Sequence, residues 1–328
     1  MNMTSRTCFV LLALTLAAFQ PAFSQSASIT NGPQRGLVLN ELLSHRGSRA
    51  PARVQGKPAP DPVAMGLAKA KVYKFSTADY PGADFSEVFD TNGATSVGVF
   101  MFNSSSLLIT PFTVKGNVYQ ILDVPGSQQS SAMAINSSGL IGGLYIDLSS
   151  AEHGFVDNAG TFTNIDFPGA FVTEVLDISD AGVIVGDYTD ATGADGYVDN
   201  GGVFTPIDFP GAVSSSATGI NSNGDIVGIW ADGSHFHSFI LSGGVFTSLD
   251  FPFAAGTSAF GINDSGEISG SFEDATFLFH GFVYSHGAWS QVDVAGARAT
   301  ELFRITNSGA VTGWAIDDLF ESHGIRGR

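Results

Sequence analysis

A repeat with a period of 42 to 44 residues constrains the fold of this chain more than any other feature of its sequence. An Asp marks each copy, four residues after an aromatic residue and, in five of the six copies, two residues before a Pro. Such a repeat is interpreted before any single motif, because each copy forms one supersecondary unit that buries its apolar face against its neighbours. The marker residues are Asp79, Asp123, Asp166, Asp208, Asp250 and Asp293.

Each copy contains four short β-strand patterns. One copy reads ATGINSN, DIVGIW and HSFILS, and a fourth run begins after the pair Gly243-Gly244. Runs of β-branched and aromatic residues that are separated by turn residues are typical of consecutive hairpins. Three of the links are tight, whereas six to eight residues follow the marker Asp before the next strand begins. The strand that contains the marker Asp is therefore expected to be the last one of its unit.

Six copies of about 42 residues with four strands each predict an all-β fold, a six-bladed β-propeller of four-stranded blades over residues 72–328. Residues 72–79 form an outer strand with no blade before it, and the C-terminal copy lacks an outer strand. We expect these two parts to pair and close the ring, which would remove exposed sheet edges. An open β-repeat array is the alternative, because a period alone does not force closure.

The residues before the repeat differ from it in composition. Arg6, an apolar run over residues 8–19 and a small-residue pattern ending at Ser24 predict a signal peptide over residues 1–24, and so a secreted or periplasmic protein. A membrane anchor is the competing interpretation, although the run is short for a bilayer. Residues 25–71 are basic with few large apolar residues, which predicts a disordered linker. That linker is either simply solvated or contacts the acidic repeats or an envelope surface.

Charge excludes several classes of partner. The formal net charge is −17, and Lys115 is the only Lys or Arg between Phe75 and Ala297. Such a surface cannot neutralise phosphates, which argues against nucleic acid and anionic membranes as partners. The single cysteine, Cys8, lies in the predicted signal peptide, so the mature chain should have no disulfide or Cys-bound metal. We expect a monomer without a membrane span.

Three tripeptides connect the repeat to a known family: His153-Gly154-Phe155, His237-Ser238-Phe239 and His280-Gly281-Phe282. Together with the Ile-Asn…Gly…Gly segments, they make residues 72–328 resemble the bacterial extracellular HAF-type repeat. The resemblance implies secretion and a β-propeller-like repeat fold, and it implies no reaction. The chain departs from the pattern at Thr110-Pro111-Phe112, Asp195-Gly196-Tyr197 and His323-Gly324-Ile325.

Six charged residues break the repeat on the strands expected to be innermost. Eight residues after the marker Asp, three copies carry Glu and three carry Ser, and the residue three positions further on divides the same copies. Because inner strands face the central channel, we predict ligand binding by these residues. They could instead be solvated rim charges or intramolecular pairs such as Glu301 with Arg304. The six residues are Glu87, Asp90, Glu174, Asp177, Glu301 and Arg304.

Two other sets of side chains invite a metal interpretation. The histidines at 153, 237, 280 and 323 would lie on third strands, ~15 Å from the axis, which is too far apart for one zinc ion. They are predicted to form blade-to-blade hydrogen bonds, and the marker Asp is predicted to be a turn acceptor. Asp187, Asp190 and Asp195 place several oxygens in one segment, so Ca²⁺ is a candidate cofactor there. An ordinary polar hairpin is the alternative.

These patterns favour a binding or scaffolding module of the cell envelope or the extracellular space. Its ligand would be a glycan or a cation at the channel, and an envelope protein is the alternative partner. A carbohydrate-active enzyme, a glycoside hydrolase or lyase, is the second hypothesis, and it requires paired carboxyl groups roughly 5 to 9.5 Å apart. A purely structural role is the third. The sequence contains no GxSxG, HExxH or P-loop pattern.

Overall fold

The structure is a computed structural model that describes residues 72–102 and 108–328. The predicted signal peptide and linker lie outside these residues. The described residues form 24 β-strands and no helix, so the all-β prediction is confirmed. They accordingly include no helix that is long and apolar enough to cross a membrane.

The strands follow one another in units of four, apart from β1 (Phe75–Thr77) at the start. Unit 1 consists of β2 (Phe85–Thr91), β3 (Thr95–Met101), β4 (Thr110–Lys115) and β5 (Val118–Ile121). Unit 2 consists of β6 (Ser127–Ile135), β7 (Ile141–Asp147), β8 (Glu152–Asn158) and β9 (Thr161–Ile165). Unit 3 consists of β10 (Val172–Ile178), β11 (Ile184–Thr189), β12 (Ala194–Asp199) and β13 (Phe204–Ile207).

The remaining units repeat this order. Unit 4 consists of β14 (Ser214–Ile220), β15 (Ile226–Ala231), β16 (Phe236–Ser242) and β17 (Val245–Leu249). Unit 5 consists of β18 (Gly256–Ile262), β19 (Ile268–Glu273), β20 (Phe279–Ser285) and β21 (Ala288–Gln291). Unit 6 has only three consecutive strands, which are β22 (Ala299–Ile305), β23 (Val311–Ile316) and β24 (Ser322–Gly327).

Strand β1 takes the fourth position of unit 6. It pairs antiparallel with β24, from Phe75 opposite Gly327 to Thr77 opposite Ile325. Units 2 to 5 are separate four-stranded antiparallel sheets in sequence order. A single parallel bridge between Phe85 and Ser322 joins unit 6 to unit 1 in one larger sheet. The link that follows the marker Asp therefore leads from the last strand of one unit to the first strand of the next.

The two recurring glycines have different structural causes. The first Gly stands in the turn between the first and second strands, where Gly139 has φ +89°. Only Gly adopts this conformation without a steric cost. The second Gly lies on the second strand, where a Cβ at Gly143 would overlap the carbonyl oxygen of Ser131. It is therefore required by the close approach of the first strand.

Aromatic side chains fill the interior of each unit. The third strand supplies a ring that is almost fully buried in units 1 to 5, and in three of them it is the Phe of the His-x-Phe tripeptide. The residue after the marker Asp packs near this buried ring and against the second strand. In unit 3, for example, Phe167 stacks on Tyr188 with ring centroids 3.6 Å apart and lies 6.0 Å from the ring of Tyr197. Burying one such ring stabilises the fold by roughly 1.5–3 kcal/mol. The buried third-strand rings are Phe112, Phe155, Tyr197, Phe239 and Phe282.

The first strands of the units converge on a common axis. Each of these strands contains a β-bulge at the same position, as between Val175 and Asp177 in β10. The extra residue of the bulge meets its counterparts in neighbouring units, and the ring of Phe303 lies 5.1 Å from Phe89 and 5.4 Å from Phe260. A bulge bends its strand and re-aims a side chain. Here it directs one large residue per unit, mostly apolar, toward the axis.

The two ends of the units differ. One end holds the short Asn/Ser/Gly turns that connect the first strand to the second. The other end holds the loops that connect the second strand to the third and the links from each unit to the next. We call this second end the loop face; its described segments include residues 147–151, 166–171, 250–255, 274–278 and 317–321.

Candidate functional site

The structure buries all six residues that the sequence singled out for ligand binding. Their exposed fractions run from 0% for Glu301 to 9% for Arg304, so they are not solvated rim charges. They lie on the first strands of units 1, 3 and 6. Each of these strands contributes one Glu and, three residues later, an Asp or Arg, so the six residues form two groups along the strands. Phe85, Glu87 and Phe89 occupy every second position of β2, so Glu87 lies on the same side of the strand as the two axial phenylalanines.

Arg304 lies at the axis and forms the first of these groups together with Asp90 and Asp177. Its Nε lies 3.8 Å from Asp90 Oδ2 and 3.7 Å from Asp177 Oδ1, which belong to units 1 and 3. Its guanidinium also donates to the carbonyl oxygens of Leu176 and Phe260, in units 3 and 5. Arg304 therefore pairs with two aspartates rather than with Glu301, and one side chain spans the axis.

The two aspartates are tied to the neighbouring units as well. Asp90 Oδ2 accepts a 2.8 Å hydrogen bond from the Ile135 amide of unit 2, and Asp177 Oδ2 accepts the same bond from Ile220 of unit 4. Burial raises the pKa of Asp90 to about 7, although the Arg304 charge opposes the shift. This network joins all six units, which is a structural role.

Glu87 and Glu301 lie next to each other on units 1 and 6. Burial, reinforced by the charge of Glu301, raises the pKa of Glu87 well above its usual range. Burial also raises the pKa of Glu301 to about 8, with the Trp314 indole opposing and Glu273 reinforcing the shift. Neither carboxyl oxygen of Glu301 has a hydrogen-bond partner. Burial therefore favours the protonated form of both carboxyl groups.

Glu174 belongs to a second carboxyl cluster, which the sequence did not predict as a unit. It lies directly opposite Asp187 in the β10–β11 ladder, and Glu152 of unit 2 hydrogen-bonds to its side chain. Ser216 of unit 4 donates a 2.9 Å hydrogen bond to Asp187 Oδ2. Burial, partly opposed by that bond, raises the pKa of Asp187 to about 7.

The proposed Ca²⁺ ligands Asp187, Asp190 and Asp195 are not brought to one point. Asp187 is paired with Gly196, whereas Asp195 is paired with Tyr188, so the two carboxyl groups lie on opposite sides of the sheet. Asp190 lies in the following loop and accepts hydrogen bonds from the amide and hydroxyl of Thr192. Burial and the charges of Asp208 and Asp190 raise the pKa of Asp195 to about 6.

The histidines of the third strands bridge two aspartates within their own unit. His153 Nδ1 lies 2.8 Å from the marker Asp166, and its Nε2 lies 3.7 Å from Asp147 of the adjacent loop. His237, His280 and His323 form the same bridge. The prediction of blade-to-blade bonds is wrong, because the third strand carries its His beside the end of the fourth. The marker Asp accepts from this His, which corrects its expected role as a turn acceptor.

One group among residues 72–102 and 108–328 brings three ligand atoms within 4.8 Å of one another: Asp317, Glu321 and His323. Asp317 and Glu321 lie in the loop between β23 and β24, His323 lies on β24, and the group is partly exposed. His323 is already paired with Asp79 at 3.0 Å through Nδ1. The group is thus a variant of the His bridge with one additional carboxylate.

The loop face carries exposed aromatic side chains that sequence reasoning missed. Each link between units contains a type II turn, and its third residue is Gly in five of the six copies. In the link between units 4 and 5 this residue is Phe253, with φ +66° and 86% exposure. Phe277 and Phe320, in the loops of units 5 and 6, are also exposed and have φ near +63°. The Arg298 guanidinium lies 4.4 Å above the ring of Phe320.

Comparisons with known proteins bear on the fold alone. No protein-family model matches the chain, and no curated protein matches its sequence. A solved structure of a putative gluconolactonase is 11% identical, covering 82% of this chain and 97% of its own, with a TM-score of 0.51. TolB from Acinetobacter baumannii is 8% identical, covering 81% of this chain and 66% of its own, with a TM-score of 0.50.

A fungal lectin from Aleuria aurantia, described as a six-bladed β-propeller with fucose recognition, is 13% identical and has a TM-score of 0.46. That match covers 74% of this chain and 93% of the lectin. Four-stranded antiparallel units whose first strands converge on an axis define the class of this fold, which is the β-propeller. The prediction of a β-propeller is confirmed.

Proposed function

We propose that this protein is a secreted or periplasmic binding module whose loop face binds a glycan. The observation that carries the proposal is the location of the exposed phenylalanines. In the described part of the chain, all five lie on the loop face: Phe102, Phe171, Phe253, Phe277 and Phe320. Exposed aromatic groups concentrated at one end of a molecule mark a binding surface.

The proposed ring is closed and six-bladed. The pairing of β1 with β24 supports this, because it gives unit 6 its fourth strand and covers the edge of β24. The bridge from Phe85 to Ser322 supports it further by joining the last unit to the first. In such a ring the loops of all units surround one end of the axis.

Chemistry favours a glycan over other ligands. The faces of phenyl rings pack against the C–H faces of sugars, and carboxylates accept hydrogen bonds from sugar hydroxyl groups. The loop face offers both, because Asp274 and Asp317 lie three residues from Phe277 and Phe320. The formal net charge of −17 disfavours anionic polymers. A neutral or cationic glycan is therefore the proposed ligand.

Backbone strain supports a binding role for three of the rings. A side chain other than Gly in the left-handed region costs on the order of 1 kcal/mol. Phe253 and Phe277 adopt it while mostly exposed, and Phe320 adopts it with its ring partly covered by Arg298, so packing in the free protein offsets at most part of that cost. Such strain recurs at ligand-binding sites, and here it holds the rings on short turns that lose little entropy on binding.

A glycan screen with the full chain tests this function. Neutral and amino-sugar glycans are expected to bind, and the triple variant F253G/F277G/F320G should weaken that binding at least tenfold while the protein stays folded. V245A is the matched control, since Val245 is exposed on an outer strand away from the loop face. Unchanged binding by the triple variant, or no glycan bound by the wild type, would contradict the proposal.

A carbohydrate-active enzyme is the second candidate, and one observation favours it. Glu301 is a carboxylic acid whose pKa is raised to about 8, and a second carboxyl group, Glu87, lies beside it. Glycoside hydrolases use such a pair as acid and base. Both side chains are buried, which favours binding over catalysis. Release of new reducing ends from a bound glycan, abolished by E301Q, would reverse this preference.

A further inference from the structure

The connection between β23 and β24 carries one more carboxylate than the equivalent connections of units 2 and 5. In all three units an Asp stands where the second strand ends, and a His follows it six residues later. Four residues after the Asp, unit 2 has Ala151, unit 5 has Leu278 and unit 6 has Glu321. Glu321 therefore adds a third group that can bind a metal to the pair of Asp317 and His323.

The three side chains are close enough to bind one ion. Asp317, Glu321 and His323 each bring one ligand atom within 4.8 Å of the other two. His323 Nε2 lies 3.8 Å from Asp317 Oδ2, which is too far for a hydrogen bond. Ligand atoms that lie ~2.1 Å from a tetrahedral zinc ion are roughly 3.4 Å from one another. All three side chains are at least partly exposed, so small rotations about their side-chain bonds can bring these atoms to one ion.

Asp79 holds the imidazole of His323 in the orientation that a metal requires. Asp79 Oδ2 lies 3.0 Å from His323 Nδ1, and its Oδ1 accepts a 3.0 Å hydrogen bond from the Gly324 amide. An ionised carboxylate only accepts hydrogen bonds, so Nδ1 carries a proton, and Nε2 of the neutral ring offers its lone pair toward Asp317. Histidines that bind metals characteristically donate from their other ring nitrogen to a carboxylate in this way. Because Asp79 lies outside the group of three, it supports the site independently.

The carboxylate of Asp317 is available to a cation on the side that faces the imidazole. Its Oδ1 accepts hydrogen bonds of 2.8 and 2.9 Å from two amides of the same loop, which leaves Oδ2 for a cation. In the described part of the chain, no Lys or Arg forms an ion pair with Asp317 or Glu321, and Arg298 stacks on the Phe320 ring of this loop instead. The negative charge of the loop is therefore not compensated by a basic side chain.

We propose that Asp317, Glu321 and His323 bind one divalent transition-metal ion of the Zn²⁺ type. One imidazole nitrogen with two carboxylate oxygens suits such an ion, whereas Ca²⁺ and Mg²⁺ prefer oxygen ligands alone. Three protein ligands leave the remaining coordination position open to water. The ion connects the loop to β24 and supports the contact between Asp79 and unit 6. The site does not depend on glycan binding by the loop face.

Zinc titration of the full chain, without a polyhistidine tag, tests the site. Calorimetry should show about one Zn²⁺ ion bound per chain, and the ion should raise Tm by several degrees, because a ligand that binds only the folded state stabilises it. E321Q should weaken zinc affinity at least tenfold, since it removes one ligand and leaves the His bridge in place. D318N is the matched control and should bind zinc like the wild type, because Asp318 is an exposed carboxylate of the same loop outside the group.

Unit 2 allows the converse experiment. The Ala151 amide donates a 2.8 Å hydrogen bond to Asp147 Oδ1, as the Glu321 amide does to Asp317 Oδ1 at 2.9 Å, so the two loops have the same backbone arrangement. His153 is bridged in the same way as its counterpart in unit 6. A151E supplies the missing carboxylate and should therefore give the chain a second zinc site.

Three results would overturn the proposal. The first is a wild-type chain that binds no zinc, or an E321Q variant whose zinc affinity is unchanged. The second is a rise in Tm with Mg²⁺ that equals the rise with Zn²⁺, because a site for hard cations would not need the imidazole. The third is a folded A151E variant that still binds one ion, which would show that the third carboxylate does not create the site.

Discussion

At the residue scale, burial decides the chemistry of this propeller. The glutamates on the first strands are ionisable and almost inaccessible, and their pKa values rise mainly because water is excluded from them. Arg304 shows the opposite solution, since it is buried together with two carboxylates and several carbonyl oxygens. The same axis thus holds an arginine paired with two aspartates in one group and two buried glutamates with raised pKa values in the other.

Glu301 supplies a prediction at this scale. Its folded-state pKa of about 8 exceeds its unfolded value near 4.5, so ionisation opposes folding increasingly as pH rises between these values. E301Q removes the ionisable group and keeps the shape. We expect this variant to raise stability by a few kcal/mol at pH 8.5, because each pKa unit between the folded and unfolded values contributes about 1.4 kcal/mol, and to leave it unchanged at pH 4. Chemical denaturation at both pH values measures the difference, and an equal effect at both would refute the argument.

At the element scale, the repeat could be predicted well from the sequence and the departures from it only in part. The glycines and the marker Asp are visible because backbone geometry and the His bridge demand them in nearly every copy. Phe253 was detectable as a non-Gly residue at a Gly position, but its exposure depends on how the link turns. Glu87 and Glu301 were singled out correctly as different, whereas their depth depends on Phe85, Met101 and Ile109 packing in the same axial region. The periodicity of the sequence does not predict how deeply Glu87 and Glu301 are buried.

Strand β1 supplies the prediction at the element scale. A chain that begins at residue 84 lacks β1 and Asp79, so unit 6 loses its outer strand and His323 loses its partner. We expect its Tm to fall by about 10 °C or more and the protein to self-associate, because β24 becomes an exposed edge. A chain that begins at residue 72 is the control. Scanning calorimetry and size-exclusion chromatography measure both effects, and an unchanged Tm for the shorter chain would show that the pairing contributes little.

At the scale of the whole molecule, two populations of carboxyl groups set the pH dependence. Burial raises the pKa of the buried carboxyl groups, to about 7 for Asp90 and Asp187 and to about 8 for Glu301. The stability that comes from their protonated form is lost as pH rises through these values. Amide donors hold the pKa of the loop residues Asp147, Asp232 and Asp317 below the usual range, and their contribution is lost as pH falls through those lower values.

The opposite pH dependences of the buried acids and the loop aspartates together predict a protein that is most stable in mild acid. Tm should be highest between about pH 4.5 and 6 and should decline steadily toward pH 8.5. The hydrogen bond to Asp293 raises the pKa of His280 and acts in the same direction, since a protonated imidazole strengthens its bridge. Thermal unfolding across this range in metal-free buffer measures the curve. A maximum above pH 7 would show that the buried acids are ionised and compensated in the folded state.

The ladder between Phe75 and Gly327 also has a consequence for the order of folding. Its partners are separated by about 250 residues, so unit 6 cannot be completed until β24 has been synthesised. Contacts at such separation form late, because a long loop has to close before they stabilise anything. Units 1 to 5 can assemble while the chain is still growing. In the proposed closed ring β24 completes unit 6 last, so a chain interrupted before β24 leaves β1 without its partner strand and unit 6 open to proteolysis.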